Sequence, residues 1–171
     1  MHGKVVAIAV AVVIVAGLVY YFGFYTADGT LNVMVKDPMP QGWSQLYVNI
    51  SSISIHNSTG QGKSGYSAVF SRPIMVNLAN TTNTSAFLTS LKLPPGHYQM
   101  VRLAVASAYG VYLGKTYTVT VINGSTDIAG QFTIHSMTAT TITLDFNSAM
   151  AIHGNTAAGF TMTPVVSLIV S

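Results

Sequence analysis

Five histidines and eight methionines are the residues best suited to hold a metal in this chain. His135 and Met137 lie two apart, so they share one face if that stretch is a strand. His97 and Met100, three apart, then point to opposite faces. His56 and His153 stand alone, one at a strand end and one in a loop. A copper or zinc centre needs such donors to converge from separate elements, and no spacing here imposes that. Ser, His and Asp are all present, yet no G-x-S-x-G elbow carries a nucleophile. The chain has no Glu, and its four acids, Asp28, Asp37, Asp127 and Asp145, are scattered, which disfavours a glycosidase-type carboxylate pair or a calcium loop. With no Cys there is neither thiolate chemistry nor a disulfide framework. The expectation is a non-enzymatic protein with no cofactor and no metal site.

Modification is better marked than catalysis. Asn-x-Ser/Thr acceptors occur at Asn49, Asn57, Asn80, Asn83 and Asn123. Charged residues make up only 6% of the chain, against roughly a quarter in ordinary soluble domains. Hydroxyls, amides and N-linked sugar are what remains to keep such a surface soluble. The net charge of +3 comes from isolated Lys and Arg residues, so no basic patch exists for nucleic acid. Seven aromatic residues, Tyr47, Tyr66, Tyr98, Tyr109, Tyr112, Tyr117 and Trp43, fit either sandwich packing or an aromatic sugar-binding face. Arg102, in an otherwise apolar stretch, needs a partner if buried, and Asp145 suits that role.

Two regions must position these groups. Residues 1–27 form a hydrophobic segment, and residues 28–171 a polar β-rich domain rich in Thr, Ser and Asn. From Val5 to Phe24 the segment has neither charge nor Pro, and it is too long for the apolar core of a cleaved signal peptide. Lys4 before it and Asp28 after it favour an outward C-terminus. Three readings stay open. The segment is a membrane-anchoring helix, with Tyr20 and Phe22 in an interfacial aromatic belt. It is a helix in a filament core. Or, because Val6, Ile8, Val10 and Val12 alternate with alanines, it is a strand donated to a neighbour. Ile14 and Leu18 complete the set of assembly or anchor residues, and helix is the conformation expected.

The remainder reads as short strands. Leu31, Val33 and Val35 alternate with Asn32, Met34 and Lys36, and Asp37-Pro38-Met39-Pro40 ends that strand. Leu46, Val48 and Ile50 point inward. The phase flips at Ser51-Ser52 so that Ile53 and Ile55 also point inward, which predicts a β-bulge and places Asn49 toward solvent. A polar loop covers 57–65. A short strand follows at 74–78, then a helical turn near Phe87 and Leu91, and a strand from His97 to Val105. Tyr117, Val119 and Val121 alternate with threonines, and Asn123-Gly124 reads as a two-residue hairpin. Ile142, Leu144 and Phe146 alternate again, and 161–170 reads as a nearly continuous central strand. The expected fold is all-β, a single β-sandwich of seven to nine mostly antiparallel strands.

Leu31-Asn-Val-Met-Val-Lys-Asp-Pro and Leu46-Tyr-Val-Asn-Ile-Ser-Ser-Ile-Ser-Ile-His resemble the opening of a family of exported archaeal and bacterial β-sandwich domains of unknown function. Leu93-Pro-Pro-Gly-His-Tyr-Gln-Met-Val-Arg-Leu resembles its central motif. Thr143-Leu-Asp-Phe and Gly159-Phe-Thr-Met-Thr-Pro resemble its close. The likeness covers about residues 30–170 and is transthyretin-like or immunoglobulin-like in character. It implies a fold and a location outside the cytoplasm, behind a signal or anchor, and no catalytic residue.

The reading that joins these parts is a cell-surface structural protein, a subunit of a pilus-like or thread-like filament. It is a homopolymer assembled through its hydrophobic N-terminal segment, in contact with a membrane at least transiently and carrying N-linked glycans. The alternative is a membrane-anchored surface β-sandwich that binds a glycan, a metal or a surface-layer partner.

Overall fold

The computed structural model describes residues 2–25, 27–57, 65–70 and 72–171, with side chains described at 10–23, 27–57, 65–66 and 72–171. Residues 58–64, which include Ser58 and Thr59 of the acceptor triplet that begins at Asn57, lie outside the described residues, while Asn57 itself ends a strand, half-buried, with its N–H donating to the Gly65 carbonyl at 2.9 Å. The N-terminal segment is helical: α1 spans His2–Tyr20 and passes into a π-helical turn, Tyr21–Tyr25. A helix satisfies its interior backbone groups within the segment, whereas a strand needs a neighbour to pair with, and helix is the conformation of the single chain. The 19 residues of α1 rise about 28 Å, just short of the roughly 30 Å hydrocarbon core of a bilayer. Among the described residues no helix is long and apolar enough to cross a membrane.

Among the described residues twelve strands follow, in two sheets. They are β1 (Gly29–Lys36), β2 (Trp43–Asn57), β3 (Tyr66–Phe70), β4 (Ile74–Asn77), β5 (Ala86–Leu93) and β6 (Gly96–Tyr112). Then come β7 (Lys115–Val121), β8 (Ser125–Ile134), β9 (Ala139–Phe146), β10 (Ile152–Asn155), β11 (Gly159–Met162) and β12 (Val166–Val170). The four-stranded sheet runs β12-β9-β1-β5. The eight-stranded sheet runs β10-β11-β7-β6-β2-β3, with β4 also paired to β2 and β8 to β6. The sandwich is as expected. The strand count exceeds the expected seven to nine because β3, β5 and β10 add to it and the run 161–170 is two strands. All pairings are antiparallel except β1 with β9 and β7 with β11.

The long antiparallel pair β2–β6 is the spine of the larger sheet. No neighbour spans it. On one flank β4 pairs with Tyr47–Ile50 and β3 with Ile53–His56. On the other, β7 pairs with Ala108–Tyr112 and β8 with Gly96–Ala104. Register shifts flank Ile50, and Leu46, Val48, Ile50, Ile53 and Ile55 are all fully buried, so the bulge lets one long strand face a single core. Against them pack Leu31, Val33 and Val35 of β1 and Ile142, Leu144 and Phe146 of β9, each at 0% exposure.

Several local expectations are corrected. Asn123-Gly124 is no hairpin. It is a kink between β7 and β8, which run in the same direction along β6, with the Val105 N–H bonded to the Gly124 carbonyl at 2.6 Å. The tight turn is Leu113-Gly114, whose φ angles of 48° and 79° are the double-positive pattern of a type I′ turn. The segment around Phe87 and Leu91 is strand β5, paired along β1, not a helical turn. The apolar run 161–170 is two strands in different sheets. Pro164 cannot donate to a ladder, so the chain leaves β11 there and re-enters as β12, an edge strand rather than a central one.

A buried polar joint closes the end of β1. Asp37 is fully buried, and its carboxylate accepts bonds from the Ser148 N–H at 3.0 Å and the Ser148 hydroxyl at 2.6 Å. This ties β1 to the one-turn helix α2 (Ser148–Ala151). Burial pushes the Asp37 carboxyl above its usual range despite both bonds from Ser148.

Candidate functional site

The tail is rooted in the sandwich by backbone geometry. The Ala27 carbonyl accepts from the Ser136 hydroxyl at 2.9 Å, and the Thr30 N–H donates to the Thr138 carbonyl at 2.8 Å. Between them Gly29 is buried so tightly that a Cβ there would lie 2.4 Å from the His135 carbonyl oxygen. The first residues of the domain are therefore fixed to the β8–β9 loop, and α1 ends only a few residues earlier, at Tyr20.

Beyond that root, α1 is uncovered. Val10, Val12, Ile14, Leu18, Tyr20 and Phe22 are all at least half exposed, and Val13 reaches 71%. Val6 and Ile8 lie on the same helix, with side chains outside the described set. The helix is apolar on every side, the pattern of a helix surrounded by other apolar matter. The ten large side chains exposed between Val10 and Phe22 leave on the order of 1,000 Å² of apolar surface, against roughly 300–600 Å² for the largest patch on an ordinary monomer. One side of the helix carries an open groove of about 480 Å³ lined by Ala11, Val12, Val15, Ala16 and Val19.

A second constellation sits on the outer face of β3-β2-β6-β8. Arg102 grips Asp127 through Nε to Oδ1 at 2.6 Å and Nη2 to Oδ2 at 2.8 Å, across directly paired positions. Its guanidinium lies 4.1 Å from the Tyr66 ring centre. The Tyr66 hydroxyl donates to Met100 Sδ at 3.1 Å, and the His56 ring meets Tyr66 edge-on at 5.2 Å. The bonds from Arg102 hold the Asp127 carboxyl below its usual range, while partial desolvation raises the Tyr66 phenol. Asp145, the partner expected for Arg102, instead meets Lys36 at 3.6 Å on the other sheet. Asp127 reaches Arg102 only because β8 extends from Ser125 to Ile134 and pairs in register with β6.

The His and Met residues lie in separate places. His135 and Met137 are in an exposed loop, with Met137 at φ 59°. The His97 ring Nδ1 lies 3.0 Å from the Thr133 hydroxyl, by a polar hollow of about 250 Å³ where a bulge offsets β6 from β8. His56 and Met100 do face each other across β2–β6, but the Arg102 cation beside Tyr66 opposes a metal there. Among the described residues no three His, Cys, Asp or Glu side chains are placed to hold a metal.

The aromatic residues separate into three groups. Tyr98 is core, stacked on Phe132. Trp43, Tyr112 and Tyr117 surround the buried Phe160, at centroid distances of 5.0–5.2 Å from it. Only Tyr47 and Tyr109 form an outward stack, 4.8 Å apart and nearly parallel. Of the glycan acceptors, Asn80, Asn83 and Asn123 are exposed. Asn49 points away from the core, between the buried Val48 and Ile50, yet with β4 and β6 on either side it is only half exposed, its amide oxygen sealed from solvent and lacking a hydrogen-bond partner.

Fold and site thus define a two-sheet β-sandwich carrying an uncovered apolar N-terminal helix. The chain belongs to the family described as a domain of unknown function, DUF4382, whose family model matches residues 28–164 and so leaves α1 outside it. No curated protein and no solved structure matches the chain.

Proposed function

We propose that this protein is a non-enzymatic structural subunit of an extracellular filament, held together by burial of α1 among neighbouring copies. The observation that carries this reading is the apolar helix α1, whose described large side chains from Val10 to Val19 are each at least half exposed. Burying even half of its exposed surface would stabilise an assembly by on the order of 10 kcal/mol, comparable to the cost of bringing two chains together. The absence of Cys fits a polymer joined without disulfides. The exposed acceptors Asn80, Asn83 and Asn123 would carry sugar on the outer surface, consistent with an exported domain. The transthyretin-like or immunoglobulin-like character of the sandwich belongs to the same proposal. So does a passage through or along a membrane before assembly.

A second reading rests on the Tyr47–Tyr109 stack, which offers an aromatic platform on an open sheet face for a glycan. The two are separated by comparing the full chain with a chain beginning at Ala27, using sedimentation and negative-stain microscopy. The filament reading expects large linear particles from the full chain and monomers from the shortened one. Discrete small species from both would overturn it and favour the surface-binding module.

A further inference from the structure

The smaller sheet ends at β12 with backbone groups that have no partner. The Asn147 N–H donates to the Val165 carbonyl and the Ser171 N–H to the Thr141 carbonyl, so residues 165 and 171 turn toward β9. Antiparallel ladders alternate, so Ser167 and Ile169 do the same, while the N–H and C=O of Val166, Leu168 and Val170 point to the open side. Among the described residues no strand pairs with β12 on that side, and no hydrogen bond reaches those groups. Natural edges are blunted by Lys, Pro or a bulge. At the opposite edge β5 carries Lys92 and a register shift between Thr89 and Phe87. β12, Val-Ser-Leu-Ile-Val, has neither charge nor Pro, and its register with β9 is unbroken. Val166 and Leu168 lean on the core, Leu168 against Gly130 of β8, whereas Ile169 and Val170 are exposed.

We infer that β12 pairs with β12 of a second copy, antiparallel and centred on Leu168. In that register Leu168 faces Leu168 and Val166 faces Val170. Every outward N–H and C=O of the two strands then finds a partner, and the two four-stranded sheets join into one. The side chains agree with the backbone. Val166, Leu168 and Val170 share the inner face by alternation, so each meets an aliphatic residue on the same face, and Ser167 meets Ile169 on the outer face. The occupant is a second β12 because this strand is complementary to itself at every position, whereas the bulge in β5 would break the ladder and leave groups unpaired. The pairing rests on the filament reading above for what brings the copies together. An edge of five residues buries far less than the roughly 800 Å² per partner of a standard stable interface, so it does not hold two chains alone. Burial of α1 raises the local concentration of sandwiches, and the β12 contact then fixes how neighbouring ones sit. The contact joins the same surface on both copies, so it closes on a pair.

The chain contains no Cys, so introduced thiols report contacts without background. Ser167→Cys and Ile169→Cys each place one thiol on the exposed outer face of β12. In the inferred register residue 167 of one copy lies opposite residue 169 of the other, with Cα atoms about 4.5 Å apart, within reach of a disulfide. Like residues lie on the diagonal, about 7–8 Å apart, and are out of reach. Full-length chains of each variant, alone and mixed in equal amounts, are assembled by removing detergent, oxidised, and run on a denaturing gel without reductant. The expected result is a cross-linked dimer from the mixture, nothing larger, and only monomer from either variant alone. Adding Val170→Pro to both chains removes an outward N–H, leaves the bonds to β9 in place, and should abolish the dimer. Urea unfolding followed through Trp43 checks that these chains fold. Dimers from one variant alone would show a parallel or shifted pairing and overturn the inference, as would a dimer that survives Val170→Pro. Large particles whose mixture yields no cross-link would overturn it while leaving the filament reading intact. A cross-linked dimer without large particles would uphold the β12 pairing and overturn the filament reading. Neither particles nor cross-link would overturn both.

Discussion

Replacing Asp37 tests how the sandwich closes the end of β1. The side chain is fully buried and serves both Ser148 donors, at 3.0 and 2.6 Å. In Asp37→Ala the Ser148 N–H and hydroxyl lose their acceptor inside the protein, at about 1–3 kcal/mol each. Removing a carboxyl whose burial is itself unfavourable returns part of that, so the net loss should be about 2–4 kcal/mol. Asp37→Asn keeps an oxygen for the N–H, and its amide donates to the Ser148 oxygen, so it should cost less than about 1 kcal/mol. The pH dependence follows from the direction of the shift. Burial raises the Asp37 carboxyl above its unfolded value of 3.8, so its contribution is fully present below that pH and is lost as pH rises through the folded value. The stability of the parent relative to Asp37→Asn should therefore fall as the pH is raised from 3.8 through the raised folded value and then level off. Urea unfolding of the full chain, followed through the single tryptophan, Trp43, gives these numbers. Equal losses in the Ala and Asn variants, or a parent that gains on Asp37→Asn with rising pH, would refute the reasoning.

The other predictions concern separate parts of the molecule. Gly29→Ala should destabilise the domain by about 2 kcal/mol in the same unfolding assay, because the new Cβ meets the His135 carbonyl oxygen and Ile134. Asp127→Asn removes a carboxyl held low by Arg102. Its effect on melting temperature should be small at neutral pH, shrink in molar salt, and vanish as pH falls through the depressed carboxyl, which a salt and pH series of thermal scans will read. In a glycosylating host, glycopeptide mass spectrometry should find sugar at Asn80, Asn83 or Asn123 and none at Asn49, whose amide is enclosed by β4 and β6.

What the sequence made legible was set by local pattern. Alternation marked the β1, β2, β7 and β9 cores, and the phase flip at Ser51-Ser52 located a bulge within one strand. What it hid was pairing at a distance. Asn123-Gly124 has turn chemistry, yet both flanking strands lie along the same long β6, and a kink uses the same φ as a hairpin. Leu113 was overlooked as a turn residue because a β-turn at φ 48° seldom holds leucine; its side chain is 71% exposed, so nothing opposes it there. Arg102 and Asp127 are 25 residues apart and meet only through the β6–β8 register. Asp37 had the look of a strand-terminating surface acid beside two prolines, and its buried role depends on Ser148, 111 residues away. In the tail, large/small alternation suited a strand, but only a helix satisfies the backbone without a partner.

The most direct test of the account is cryo-electron microscopy of the full-length protein after removal of detergent. The account predicts helical filaments in which α1, from His2 to Tyr20, is enclosed by the α1 helices of neighbouring copies and the sandwiches face outward. Particles in which the sandwiches make the contacts while α1 stays uncovered would contradict it.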